Sequence, residues 1–205
     1  MPPGYSQFAF KALVLVWLAA FAASAQVPRE AERELLNSER IEQTFGSYGI
    51  QVLASTRDLR VSKLFSRHGE ADICRTFAVV AYPRDIPFEL AAEHAKILAG
   101  GSIGSTFAAS GWTVNKAHRY FGEVDASAKL ISLMGGIEPT KLAVHIYVLS
   151  VAKDDASFEY ASIIEVHHPD YLRLADLLEI YGPSQTLEAD AAVRQLLEIT
   201  AAQMR

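Results

Sequence analysis

Three alternating apolar segments, 49–57, 60–67 and 73–82, follow one another across very short links. A parallel pair needs a crossover of about a dozen residues or more, so links this short force antiparallel neighbours. Four further segments, 112–122, 126–134, 141–152 and 157–168, read as strands in the same way. Pro169 closes the last of them, because proline cannot donate to a ladder.

Helical periodicity fills the remaining stretches. Residues 29–45 carry Leu35, Leu36, Ile41 and Phe45 on an inner side. Helices are also expected over 88–99, 102–110, 171–181 and 187–203. Gly100-Gly101 separates the second and third as a tight corner, and Gly182-Pro183 stops the fourth. Strand runs bracketed by helices predict an α+β fold, an antiparallel sheet with helices packed on one face.

A motif recurs within this pattern. Ile41, Thr44, Phe45, Gly49 and Val52 are matched 62 residues later by Ile103, Thr106, Phe107, Gly111 and Val114. Lys63-Leu64-Phe65-Ser66 is echoed 66 residues later by Lys129-Leu130-Ile131-Ser132. The spacing predicts a tandem duplication, αβββα over about 29–99 and αββββα over about 102–182, followed by the helix 187–203. In both copies the glycine is expected to end the helix in a left-handed conformation. One continuous sheet is favoured over two lobes, since about 60 residues make a marginal core alone.

The first 25 residues read as a leader. Lys11 precedes a charge-free apolar run from Ala12 to Ala22, and Ala23-Ser24-Ala25 is a small-x-small cleavage pattern. The run is short for a bilayer span, which needs about 20 apolar residues. The expectation is a cleaved signal peptide, 1–25, and a single domain, 26–205, with no membrane span after cleavage. The mature chain contains no Asn-x-Ser/Thr acceptor and one cysteine, Cys74. Both facts favour a bacterial periplasm, or secretion, over a disulfide-rich eukaryotic exterior. Cys74 lies in the apolar run 73–82 and is expected to be a buried core residue.

Composition narrows the function classes. Hydrophobic residues make up 50% and charged residues 21%, which suits a packed core and excludes a disordered chain. The formal net charge of −5 lacks the basic surplus of a nucleic-acid binder.

Strand alternation selects candidate binding residues. One sheet face is expected to be open and to gather Arg119, His145, Tyr147, Glu159, Glu165 and His167, a mixed polar and aromatic surface. Phe121 is expected to point the same way, and Phe158, Tyr160, Ile164 and Val166 toward the helices. Glu165-Val166-His167-His168-Pro169-Asp170 is the densest group of potential metal ligands, with His145 on the neighbouring strand. Neither H-E-x-x-H nor any other helical zinc motif is present, so no metal and no cofactor is assigned. His94 reads as a half-buried packing histidine, Ser66–Glu70 as a hairpin turn, and Lys116–Phe121 as edge protection.

No nucleophile elbow, phosphate loop or dinucleotide fingerprint occurs. The leading expectation is an exported non-catalytic protein that binds a small-molecule ligand or an envelope protein. It would use its sheet face or the groove between the copies. The alternative is a periplasmic hydrolase, with or without metal, built on His145, Glu165 and His167. A homodimer closed through an edge strand is a third arrangement.

Overall fold

The structure, a computed structural model, describes residues 34–135, 137–182 and 191–203. The expected leader 1–25 and the expected helical residues 29–33 and 187–190 lie outside the described residues.

The chain order is α1 (Asn37–Phe45), β1 (Gly49–Ser55), β2 (Leu59–His68), β3 (Ala71–Ala81), α2 (Ala91–Leu98), α3 (Ile103–Ala109), β4 (Thr113–Asp125), α4 (Ala128–Leu133), β5 (Lys141–Lys153), β6 (Ala156–His167), α5 (Leu174–Tyr181) and α6 (Ala191–Gln203). The six strands form one antiparallel sheet in the order β1-β2-β3-β6-β5-β4. β3 and β6 therefore lie at the centre, and β1 and β4 are the edges. The fold is α+β.

Turn chemistry sets the short links. Gly69 has φ 62° and opens the two-residue β2–β3 turn, at the position expected for the Ser66–Glu70 hairpin. α1 ends at Phe45 as expected but begins at Asn37, with residues 34–36 outside the helix, and its capping glycine differs. Gly46, not Gly49, takes the left-handed conformation (φ 73°), and its N–H bonds to Glu42 O at 2.8 Å. Gly49 instead begins β1, packed under the Phe65 ring. In the second half Gly111 (φ 79°) does follow the end of α3.

The expected strand 126–134 is a helix, α4. Its apolar residues fit either period, and the Ser127 side chain decides between them by accepting the Leu130 N–H at 3.2 Å as an N-cap. Leu130 and Met134, four apart, are then both buried.

Helices cover both faces of the sheet, not one. On the first face Ile41 of α1, Ile97 of α2, Phe107 of α3 and Leu177 of α5 pack with Leu64, Ala78, Val80, Tyr147 and Ile163. On the second face Leu130 and Met134, with Val193 of α6, pack with Val61, Phe77, Val79, Val144, Ile164 and Val166. The strand residues in the two groups have opposite parity along β3, β5 and β6. Fully burying each such anchor contributes about 1.5–3 kcal/mol. Burying β5 on both faces also explains its nearly unbroken apolar run from Leu142 to Leu149.

Two bulges change which side chains face the helices. A shift in β4 between His118 and Tyr120 puts Phe121, expected outward, in phase with Lys116 and His118, and Phe121 is fully buried. A shift beside Leu149 brings Tyr160 to the same side as Ala161 and Ile163, apart from Ile164 and Val166.

Candidate functional site

The first face carries a polar cluster in its interior. His145 on β5 and Glu165 and His167 on β6 share the parity of Tyr147, and all four are buried. Asn37 of α1 and Tyr181 of α5 pack against them. These residues were expected on an open surface; the covering helices make them an interior site. Arg119 sits at the β4 bulge and is exposed, and Glu159 is exposed near Ser162 and Pro83. Four of the six expected residues thus come together and two do not.

Glu165 is the hub. Asn37 Nδ2 of α1 donates to its Oε1 at 2.9 Å, and Tyr147 Oη donates to the same oxygen at 3.2 Å. Oε2 faces the imidazoles, 3.8 Å from His145 Nδ1 and 4.0 Å from His167 Nε2. Asn37 is itself oriented by Tyr171, whose Oη donates to Asn37 Oδ1 at 2.6 Å. Asn37 Nδ2 also donates to Thr76 Oγ1, which lies 3.1 Å from His167 Nδ1.

A second chain runs from His145 to the edge of the cluster. His145 Nε2 is 2.8 Å from His118 Nδ1, and His118 Nε2 is 3.2 Å from Glu34 Oε2. Glu34 Oε1 accepts from Lys116 Nζ at 2.7 Å, and that ammonium also bonds to Leu35 O. Lys116 lies on an edge strand, as expected, yet it points inward and is buried to within 4%.

Burial and neighbouring charge fix the protonation states. Burial, reinforced by the Lys116 and Arg40 charges, drops the His167 imidazole to about 3. His145 is held well below the ordinary value by burial first, then by His167, His118 and Lys116. Burial raises the Glu165 carboxyl against the opposing pull of Lys116 and of the Asn37 and Tyr147 hydrogen bonds. Burial also works against the Glu34 carboxylate, but the bonds and charges of His118 and Lys116 outweigh it and keep its carboxyl below the usual range.

Beside this cluster, on the same face, lies a cavity of ≈ 60 Å³. Its wall includes Glu165 and Tyr147 at one end, Tyr48 and Ser102 toward the other, and Arg60 and Ser62 of β2. Arg60 is 1% exposed. Its Nη1 donates to Ile97 O at 2.9 Å and Gly101 O at 2.8 Å, the carbonyls at the α2–α3 corner. Its Nε and Nη2 have no well-formed hydrogen bond among the described residues, although the Tyr82 hydroxyl lies beside the guanidinium, and no carboxylate among them forms an ion pair with it. A buried guanidinium in this state carries a large uncompensated desolvation cost.

Sequence reasoning missed Arg60, Asn37, Thr76, His118, Lys116 and Glu34. A signal for Arg60 was present, since it is in phase with Ser62 and Leu64 and so shares their covered side. The contact of residues 34–37 with β4 and β6 has no local signature.

No protein-family model matches the chain, and comparison with curated proteins finds no match. The geometry alone therefore carries the functional reading. It places a hydroxyl, Thr76 Oγ1, against an imidazole, but that hydroxyl is fully buried and already engaged by Asn37. No helix among the described residues is long and apolar enough to cross a membrane.

Proposed function

We propose that the protein is an exported binding protein that takes a small oxyanion, a carboxylate or phosphate group, into the cavity bordered by Arg60. The observation that carries this reading is the unpaired buried guanidinium. Nε and Nη2 of one arginine present two donors in a fixed fork, the arrangement that matches a carboxylate or phosphate edge. Ser62, Ser102 and Tyr48 add hydroxyls to the same wall, and Leu64, Ala78 and Val80 add apolar surface. The volume suits a few waters or a compact anion by the scale of about 10–15 Å³ per water position.

The reading places the ligand between the two halves of the chain. Arg60 and Tyr48 come from the first expected repeat, and Ser102, Tyr147 and Glu165 from the second. The strand order, which reverses about the β3–β6 pair, and the Ile/Phe pairs in α1 and α3 support a duplication origin for this groove. Export to the periplasm, or secretion, is supported by the sequence of residues 11–25. Cleavage after Ala25 would leave Gln26 as the first residue of the intact mature mass.

The test is thermal unfolding of the wild type and Arg60→Met in a non-coordinating buffer, with acetate, phosphate or sulfate added. A ligand at 100 times its Kd stabilises by about 2.7 kcal/mol, which is several degrees for a domain of this size. The wild type should gain that shift with at least one anion, and Arg60→Met should lose it. Arg60→Met also loses the Nη1 bonds to Ile97 O and Gly101 O, so its anion shift is read against its own anion-free midpoint. An unshifted wild type, or a shift retained by Arg60→Met, would overturn the reading.

A further inference from the structure

Three potential ligand atoms converge in the polar cluster. One ligand atom from each of His145, Glu165 and His167 lies within 4.8 Å of the others, with Glu165 Oε2 at 3.8 Å from His145 Nδ1 and 4.0 Å from His167 Nε2. Nitrogen and oxygen ligands at about 2.0–2.1 Å from a tetrahedral zinc ion are about 3.3 Å apart. The observed 3.8 and 4.0 Å separations need contractions of about 0.5 and 0.7 Å, within reach of side-chain rotation. Two neighbouring strands supply all three side chains, so the backbone register holds them on one side.

The hydrogen bonds around the cluster orient the lone pairs. The Glu34 carboxylate is an acceptor only, so His118 donates to it from Nε2. In the tautomer that accepts at His118 Nδ1, His145 donates from Nε2 and directs its Nδ1 lone pair at Glu165 Oε2. His167 has its Nδ1 against Thr76 Oγ1, while its buried Nε2 has no hydrogen-bond partner. With Nδ1–H donating to Thr76, that nitrogen too presents a lone pair to the same oxygen. Lone pairs facing a carboxylate oxygen repel unless a proton on Glu165 or a cation sits between them. Metal-ligating histidines pass their other ring N–H to a polar partner in this way. The hydrogen bonds to Glu165 from Asn37 and Tyr147 both fall on Oε1, so they do not compete for Oε2.

We propose that His145, Glu165 and His167 form a binding site for a divalent transition-metal ion of the zinc type. Imidazole nitrogens suit zinc, cobalt, nickel and copper, and two imidazoles with one carboxylate leave a further coordination position. Of the three ligands, Glu165 borders the cavity. Asn37, Thr76 and His118 are positioning residues, acting on the ligands through their hydrogen bonds.

The test uses the full mature protein, stripped with a chelator and titrated with Co²⁺ and then Zn²⁺ in an oxyanion-free buffer. One equivalent of Co²⁺ should develop visible d–d absorption, and one equivalent of Zn²⁺ should bleach it. Glu165→Gln and His167→Ala should weaken Co²⁺ binding at least a hundredfold, and His118→Gln about tenfold. Arg60→Met should bind Co²⁺ as the wild type does, so this result and the anion result fail separately. Where a ligand variant does not fold, the wild-type NMR spectrum with Co²⁺ decides. Shifted imidazole N–H signals from two histidines support the site, and their absence overturns it. Failure of the wild type to bind one equivalent, or binding that survives both ligand substitutions, also overturns it.

Discussion

Lys116 Nζ, on an edge strand, ends 2.7 Å from the Glu34 carboxylate beneath α1 and not in solvent. The two partners are unequally buried, with 4% of the Lys116 side chain and 34% of the Glu34 side chain exposed. Removing the carboxylate should therefore cost more than removing the ammonium. Glu34→Gln strands a buried charge and should destabilise by about 2–3 kcal/mol, toward the lower end of the range for broken buried pairs. Lys116→Met leaves a carboxylate that can reach water and should cost about 1 kcal/mol. Urea unfolding of both variants checks the order, and equal or reversed costs would contradict the buried placement of Lys116.

Acid should destabilise the metal-free protein early. His145 and His167 have folded pKa values below the unfolded value of about 6.5. The unfolded chain therefore gains protons first as pH falls, and stability drops from about pH 6.5 downward. For His167 the loss continues until its folded form protonates at about 3. The limiting slope is about 1.4 kcal/mol per pH unit for each histidine. Glu165 has a raised folded pKa and acts oppositely, losing its contribution as pH rises above the unfolded carboxyl value. Unfolding free energies at pH 7, 6 and 5 should fall, and less steeply in His167→Gln. A flat profile in the wild type would contradict the neutral buried imidazoles.

Leu36 closes the space over Gly104. A β-carbon at Gly104 would sit 2.6 Å from Leu36 Cδ1, so Gly104→Ala should cost about 1–3 kcal/mol by overpacking. Leu36→Ala should cost about 2–5 kcal/mol alone. The double variant should cost less than the sum, because the new methyl enters the space left by leucine. Additive costs in the double-mutant cycle would place Leu36 elsewhere.

Cys74 should not react with thiol reagents in the folded protein. It is fully buried, and burial pushes its thiol up to about 12. Labelling should appear only with denaturant, in step with global unfolding. Rapid labelling under native conditions would contradict its place in the core.

The short-linked pairs β1–β2, β2–β3 and β5–β6 were legible from alternation and link length because both are local, whereas the central β3–β6 pair was not. Six of the seven expected strands are present, and Cys74, His94 and the Gly69 turn lie in the environments expected of them. Segment 126–134 was misread because Leu130, Ile131, Leu133 and Met134 satisfy both periods, and a single serine hydroxyl selects the helix. Parity correctly grouped His145 and Tyr147 on one strand with Glu165 and His167 on the next. It could not tell an open face from a covered one, since that depends on where α1 and α5 dock. Bulges in β4 and β6 inverted Phe121 and Tyr160, because a one-residue slip has no signature in residue type. Nothing in residue type alone singles out Arg60. Only the α2–α3 corner carbonyls reveal that it is enclosed.

We propose that an oxyanion belongs beside the buried Arg60 guanidinium. The most direct measurement is a crystal structure grown with selenate, phased on the selenium anomalous signal. The account predicts an anomalous peak in the cavity, with oxygen atoms within hydrogen-bond distance of Arg60 Nε and Nη2. A cavity holding only water at those nitrogens, at selenate concentrations that label other cationic sites, would contradict it.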